Sequence, residues 1–370
     1  MTPLATPFPA SVGKLSPQIF NALIGASHPG VAVERFDVVE TLIYGQGQVS
    51  TADRLVLDLH YAPGAPADLP RRIVVKTMIE TPHAPAALYE NEVGFYQHIR
   101  PSLTIETPRC IGATFDADTG QFGLLLEDLR QRSAQFPNVT QPVSVEQVKA
   151  VLDTLAGLHA AFWNSRRFAA DLAWVQTHRH GKLYEFFAAY TLKMAEAELQ
   201  QHAFKRELLA RLNRSAAQLC EDTWAVQRHQ QRGPATLLHG DAHLGNSYLL
   251  PDGHGGLLDW QLMVRGCWAH DVNYLIVTAL STELRRRHER ELLAHYLDAL
   301  ARNGVRTPPS REDAWRDYRL SIVWSLLIGW LIVPLPNYSR AIVAGNLERS
   351  VAAALDMDTL GLIDHLLHRA

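Results

Sequence analysis

The chain has 370 residues, 47% of them hydrophobic and 20% charged, which is ordinary for a soluble globular protein and long enough for two domains or lobes around a large core. Its 35 basic and 38 acidic residues leave a net charge of −3, which gives no case for nucleic acid or an anionic membrane surface as partner. Three cysteines, Cys110, Cys220 and Cys267, are odd in number and form no CxxC pair, so neither zinc nor a disulfide framework is expected, and a reducing, cytoplasmic setting is.

The opening MTPLATPFPASVGK lacks a basic region followed by an apolar core, so no signal peptide is expected. Ser16-Pro17 reads as an N-cap with proline at the first helical position, predicting a short helix from Pro17 to about Leu23. Residues 31–44 are β-rich, and Asp53–Tyr61, DRLVLDLHY, alternates Leu55, Leu57 and Leu59 as a strand does. Between them lies Gly45-Gln46-Gly47-Gln48-Val49-Ser50-Thr51. Strand, glycine-rich turn, strand is the geometry of a flap over nucleotide phosphates, although two glycines between strands more often mark a plain hairpin turn.

After a loop at 62–70, Arg71–Lys76 reads as an apolar strand ending in lysine. An ammonium there is costly to bury unpaired, so Lys76 needs a partner. The following helix, about 87–96, offers Glu90 and Glu92 as candidates. Cys110–Phe115 and Phe122–Leu126 read as two strands around an Asp-Ala-Asp-Thr-Gly turn, and Gly123–Leu129 closes the β-rich region.

Ser144-Val145-Glu146-Gln147 has the form of a capping box for a helix running to Trp163, with Val148, Val151, Leu152, Leu155 and Leu158 on one stripe. Tyr184 to about Gln230 reads as two helices, ended by Gly233-Pro234. Residues 282–370 are helical. Within them, Leu320–Leu335 is apolar over about sixteen residues, short of the roughly twenty a spanning helix needs, so a buried helix and no membrane association are expected.

Thr236–Gln261, TLLHGDAHLGNSYLLPDGHGGLLDWQ, carries the strongest signal. It reads as a hairpin-like unit that presents Asp241, Asn246 and Asp259 at strand ends and loops. Phosphoryl transfer asks a protein for metal-bound phosphates and an oriented hydroxyl. A carboxylate at a loop tip can accept the hydroxyl proton, and an amide oxygen with a second carboxylate gives Mg²⁺ the hard donors it prefers. Asp-x4-Asn followed by a further Asp is the kinase catalytic-loop spacing. His239 and His243 read as loop-bracing residues, since Mg²⁺ takes oxygen rather than imidazole.

The run H-G-D-x-H-x-x-N followed by D-W-Q resembles the aminoglycoside phosphotransferase and choline kinase superfamily, and its ending is most similar to the ecdysteroid-kinase-like branch. The ordered motifs cover roughly Leu15 to Tyr274. The resemblance implies an α+β, bilobal protein-kinase-like fold: an N-terminal segment over 1–30, a β-rich nucleotide-binding lobe over 31–129 and a helical lobe over 130–370. It implies ATP- and Mg²⁺-dependent phosphorylation of a small-molecule alcohol, with Asp241 as catalytic base and Asn246 and Asp259 as metal ligands. On the nucleotide side it implies Gly45, Gly47, Gln48, Ser50 and Thr51 in a G-x-G-Q-x-S flap, which lacks the third glycine of protein kinases. Lys76 of V-V-K would hold the α- and β-phosphates, paired with Glu92 of E-V-x-F-Y, and Glu127, Asp128 and Leu129 would form the hinge whose backbone meets adenine. His159 and Trp163, in H-x3-W, are assigned to packing, and Asp271 to bracing the loop backbone.

The alternative is a nucleotide-binding pseudokinase acting as a regulator, against which stand the intact Lys76, Asp241, Asn246 and Asp259. A protein kinase is disfavoured because no A-P-E-like segment follows Asp259. The segment Asp171–Tyr190 holds two acids, Asp171 and Glu185, against Arg179, Lys182, His178 and His180, with Trp174, Tyr184, Phe186, Phe187 and Tyr190 among them. That balance predicts an uncharged or apolar alcohol rather than an aminoglycoside.

Overall fold

The structure, a computed structural model, describes residues 7–42, 51–79, 84–335 and 337–367. Gly45, Gly47, Gln48 and Ser50 of the expected flap lie outside the described residues. The chain divides into two compact units. The first runs to Ala134 without Thr104–Glu106; the second takes Thr104–Glu106 and nearly everything from Gln135 onward.

The first unit is built on an antiparallel sheet of five strands, β1 (Val33–Leu42), β2 (Asp53–Tyr61), β3 (Arg72–Thr77), β4 (Cys110–Phe115) and β5 (Phe122–Glu127), in the order β1-β2-β3-β5-β4. The two-residue alternation of strands decides which side chains are buried together. Leu55, Leu57 and Leu59 of β2 and Ile73 and Val75 of β3 share one core cluster with Phe20, Leu23 and Ile24 of α1 (Pro17–Gly25). Each such side chain, fully buried, contributes about 1.5–3 kcal/mol. Pro17 sits at the first helical position, as expected, after an extended Ser16. On β3, Lys76 alternates with Val75 and so belongs to the other face. That face meets α2 (Ala86–Gly94), whose Tyr89 stacks on Phe122 at 4.4 Å. The helix then widens into a π turn over Phe95–Ile99, which buries Phe95, Tyr96 and Ile99.

The second unit is mostly helical. It opens with α3 (Val145–Ala161), whose capping box forms as predicted: the Ser144 hydroxyl accepts from Gln147 N–H at 3.2 Å, and the Gln147 amide oxygen accepts from Ser144 N–H at 2.9 Å. The predicted stripe is buried. Where two helices are expected there are three, α4 (Lys182–Gln201), α5 (Ala203–Ala210) and α6 (Ala216–Gln230). The breaks are local in origin. His202 is extended, Asn213 is left-handed at φ 51°, and Ser215 caps α6 through a second capping box with Gln218.

Four short strands follow, β6 (Thr236–Leu238), β7 (Ser247–Leu249), β8 (Gly255–Leu257) and β9 (Val264–Gly266), paired antiparallel as β6/β9 and β7/β8. Then come α7 (Ala269–Ala279), α8 (Thr282–Arg302), α9 (Arg311–Trp324), α10 (Arg340–Asp356) and α11 (Thr359–Leu367). Every residue of α7 is buried, which marks it as the central helix of its unit. The apolar run from Leu320 is the buried end of α9 and a π-helical extension, Ser325–Leu331. Buried Lys205 stops it by donating to the carbonyls of Leu331 at 2.8 Å and Val333 at 2.7 Å, while pairing with Glu198 at 2.8 Å. Among the described residues no helix is long and apolar enough to cross a membrane.

Candidate active site

In the first unit, β3 delivers Lys76 to α2. Its ammonium meets Glu92 Oε2 at 2.7 Å, with side chains only 5% and 1% exposed. The partner among the two candidates is therefore Glu92, one helical position pair beyond Glu90 on the buried side of α2. Thr51, the one flap residue within the described range, accepts through its carbonyl from the Tyr89 hydroxyl at 2.6 Å. At the expected hinge, Glu127 accepts from Arg109 N–H at 2.8 Å, and Asp128 accepts from Arg130 N–H at 3.0 Å while pairing with the Arg130 guanidinium at 2.9 Å. Those carboxylates shape the end of β5. Asp128 N–H donates to the Arg72 carbonyl at 3.2 Å, and Leu129 is buried.

In the second unit, β6 leads into His239-Gly240-Asp241. Gly240 has φ 83°, and a Cβ there would lie 1.9 Å from the Leu262 carbonyl oxygen, so only glycine fits the turn. The turn is held by one buried carboxylate at the start of α7. Asp271 Oδ2 accepts from His239 N–H at 2.6 Å and Oδ1 from Gly240 N–H at 3.0 Å. His159 of α3 donates to Asp271 at 3.1 Å, and the Tyr296 hydroxyl of α8 meets the other imidazole nitrogen at 2.8 Å. Burial pushes the Asp271 carboxyl up, but the hydrogen bond and charge of His159 outweigh it, and the group lies at about 2. His159 is thus a bracing residue rather than a packing residue alone.

The histidines of the motif also serve the loop. His239 donates from Nε2 to the Leu258 carbonyl at 2.9 Å and accepts at Nδ1 from Asp241 N–H at 3.3 Å. His243 accepts at Nδ1 from Gly245 N–H at 3.0 Å. Burial lowers His243 to about 4, so its 3.8 Å approach to Asp241 is not an ion pair at neutral pH.

Asp241, Asn246 and Asp259 come together. Asn246 donates its amide to the Asp241 carbonyl at 3.0 Å and to Asp241 Oδ2 at 2.9 Å, which leaves the amide oxygen as its acceptor end. Burial raises the Asp241 carboxyl to about 6; His239 opposes this, the nearby charge of Asp259 adds to it, and the neighbouring Tyr274 and the Asn246 amide pull it back. Asp259 is left-handed at φ 69°, a conformation that asparagine and aspartate tolerate better than most side chains. Two carboxylates that repel, with an amide oxygen beside them, fit a hard divalent cation that keeps its remaining positions for water and phosphate. Among the described residues no group of three or more His, Cys, Asp and Glu is arranged to hold a metal, so a cation here would rely on the amide and on phosphate oxygens.

The sequence reading did not pick out His270 or Tyr274. His270 donates to the Gly240 carbonyl at 2.9 Å, which fixes the far side of the turn. Their only signal is position, flanking Asp271 on a helix with no exposed face.

A five-stranded antiparallel sheet with a buried lysine–glutamate pair, and a helical unit with a carboxylate-braced H-G-D loop, define the protein-kinase-like bilobal class. The likeness extends to solved structures: an ethanolamine kinase from Plasmodium vivax (TM-score 0.53, 12% identity, 87% of this chain and 82% of that one) and a choline kinase from Cryptosporidium parvum (0.50, 11%, 90% and 90%). A spectinomycin phosphotransferase in complex with ADP and spectinomycin is similar at TM-score 0.50 and 12% identity, over 94% of this chain and 99% of that one. At such identities the likeness is one of fold. No curated protein matches the chain by sequence. The chain belongs to the ecdysteroid kinase-like family, whose profile matches residues 57–306.

Proposed function

We propose that this protein is an ATP- and Mg²⁺-dependent phosphotransferase acting on a hydroxyl of a small molecule. The observation that supports it best is the Asp241–Asn246–Asp259 cluster on a loop braced by Asp271. In this reading Asp241 orients the acceptor hydroxyl and takes its proton as the oxygen attacks phosphorus. The Asn246 amide, bonded to the same carboxylate, fixes which oxygen of Asp241 faces the acceptor. Asn246 and Asp259 would hold Mg²⁺, which when bound neutralises phosphate charge. Lys76, held by Glu92, would bind nucleotide phosphates. A polycationic acceptor finds little acidic surface in Asp171–Tyr190, where Asp171 is already paired with Arg167 at 2.7 Å.

The test is Asp241→Asn, which keeps the shape and removes the charge. Turnover should fall by about 10² to 10⁴-fold, the usual share of general-base assistance, with Mg²⁺-ATP affinity little changed. Full turnover in the variant, or outright loss of nucleotide binding, would overturn the assignment.

A further inference from the structure

Helix α7 meets the Asp241 loop a second time, beyond Asp271. At the start of the helix, Asp271 accepts from His239 and Gly240 N–H, beside Asp241. Near its end, Thr278 accepts at Oγ1 from Leu244 N–H at 3.0 Å, two residues before Asn246. Positions 271 and 278 are close to two helical turns apart, so both groups stand on one face of α7. Thr278 is wholly buried and Leu244 is 3% exposed, so water does not compete for this bond.

Leu244–Asn246 is a single 3₁₀ turn whose last residue is the proposed metal ligand. Such a turn leaves its first amides without partners of its own. His243 satisfies two of the three: its Nδ1 accepts from Gly245 N–H at 3.0 Å, and its carbonyl from Asn246 N–H at 2.9 Å. The third, that of Leu244, is the one that reaches α7. A helical threonine ordinarily turns its hydroxyl back on its own helix, and Thr278 does so, donating to the Tyr274 carbonyl at 2.7 Å. Its oxygen lone pairs remain for Leu244, and a hydroxyl serves both ways at once. The last turn of α7 is itself pinned. Arg349 of α10 donates to the Thr278 carbonyl at 2.6 Å and to the Val139 carbonyl at 3.0 Å. The Thr278 carbonyl is among the last four of α7, which the helix cannot satisfy from within.

We propose that Thr278 is a positioning residue for the metal-binding half of the loop. Through Leu244 N–H it fixes the turn that presents the Asn246 amide oxygen, as Asp271 fixes the turn that presents Asp241. Arg349 keeps in place the helical turn that carries Thr278. One helix thereby sets the spacing between base and metal ligand, with a separate anchor for each. Thr278→Val nearly keeps the size of the side chain and removes the acceptor, which leaves the buried Leu244 amide unpaired. Its effect should therefore fall on metal-bound nucleotide and not on nucleotide alone. The inference rests on the phosphotransferase reading only in taking Asn246 as a metal ligand.

Full-length wild type, Thr278→Val, Thr278→Ser and Arg349→Met are compared by amide hydrogen exchange at Leu244, followed by NMR, and by calorimetry with Mn²⁺-ATP and with ATP in EDTA. Neither readout needs turnover. Thr278→Val should speed Leu244 exchange about tenfold or more, for one lost buried hydrogen bond, and weaken Mn²⁺-ATP binding about tenfold, the low end for groups that support a ligand from behind. ATP in EDTA should bind as in the wild type. Thr278→Ser restores the hydroxyl and should return both readouts to wild-type values. Faster exchange with unchanged Mn²⁺-ATP affinity, an equal loss of ATP binding in EDTA, or a serine variant that behaves like valine would each overturn the proposal. Arg349 is only partly buried, and Arg349→Met should move the same two readouts in the same direction. Where Thr278→Val does not fold, that variant decides, and wild-type Mn²⁺-ATP affinity in it overturns the proposal. A wild type that binds ATP no better with Mn²⁺ than in EDTA overturns it too. An alcohol screen on the same samples separates the two readings: metal affinity that falls in Thr278→Val, in a protein that phosphorylates no alcohol, counts against the phosphotransferase reading and leaves the Thr278 assignment standing.

Discussion

Glu92→Ala is the most informative single change in the first unit. It removes the carboxylate that meets the Lys76 ammonium at 2.7 Å, in a place where the lysine side chain is only 5% exposed. Breaking a buried pair from one side leaves an uncompensated charge and typically costs about 3–5 kcal/mol. For a folding unit of this size that corresponds to a melting shift of about 10 °C or more. Lys76→Met combined with Glu92→Leu should behave differently. Replacing both partners by apolar groups is close to neutral, so stability should largely return while nucleotide binding does not. Thermal unfolding followed by circular dichroism measures the first effect, hydrogen exchange at β3 and α2 localises it, and calorimetry with Mg²⁺-ATP measures the second. If Glu92→Ala melts with the wild type, the pair is not holding the sheet to α2. If the double variant still binds nucleotide as the wild type does, Lys76 is structural and its assignment to phosphate is wrong.

Removal of metal with EDTA should abolish turnover and added Mg²⁺ restore it, with excess Mg²⁺ partly rescuing Asn246→Ala; activity that persists in EDTA would remove Asn246 and Asp259 from the metal role. Asp271 is held at about 2 against 3.8 for a free carboxyl, so its stabilisation is complete above about pH 4 and fades as pH falls towards 2. The stability gap between wild type and Asp271→Asn should therefore be wide at neutral pH and narrow over that acid window, and a gap independent of pH would contradict the bracing. Arg285, 1% exposed, bonds Glu289 at 2.7 Å and also Asp356, which keeps Arg286 at 2.8 Å, so Arg285→Ala should cost about 3–5 kcal/mol in urea unfolding by leaving the buried Glu289 carboxylate unpaired; a change within about 0.5 kcal/mol would show that water reaches it.

The sheet was legible because β2 and β3 bury alternate residues and carry few exceptions, and the lysine that breaks the apolar rule at the end of β3 is the one that finds a buried partner. The choice of Glu92 over Glu90 came from motif wording, and geometry supplied the reason. The H-G-D loop was legible as a unit because its turn chemistry lies within one short stretch. Its bracing was only half legible: Asp271 follows from the family pattern, but the relay through His159 and Tyr296 joins residues more than a hundred positions apart, which no local pattern records. The breaks at His202 and Asn213 escaped for the opposite reason. They depend on single backbone angles that periodicity averages away. His178 was misread as a charge because it is buried, and burial, then the neighbouring His270, hold its imidazole well below the ordinary value; exposure, not residue type, decides whether a histidine carries a charge.

The residues that hold the Asp241 loop and the aromatic cluster of Tyr184, Phe187, Trp224 and Trp324 come from different helices. The loop is tied to α3, α7 and α8, the cluster to α4, α6 and α9, and the two sets touch where His270 meets His178 and Trp324. Substitutions in the two sets should therefore combine additively except where His270 meets His178 and Trp324. A lineage with this architecture can therefore exchange Tyr184, Phe187 or Trp224 while the loop geometry is inherited unchanged.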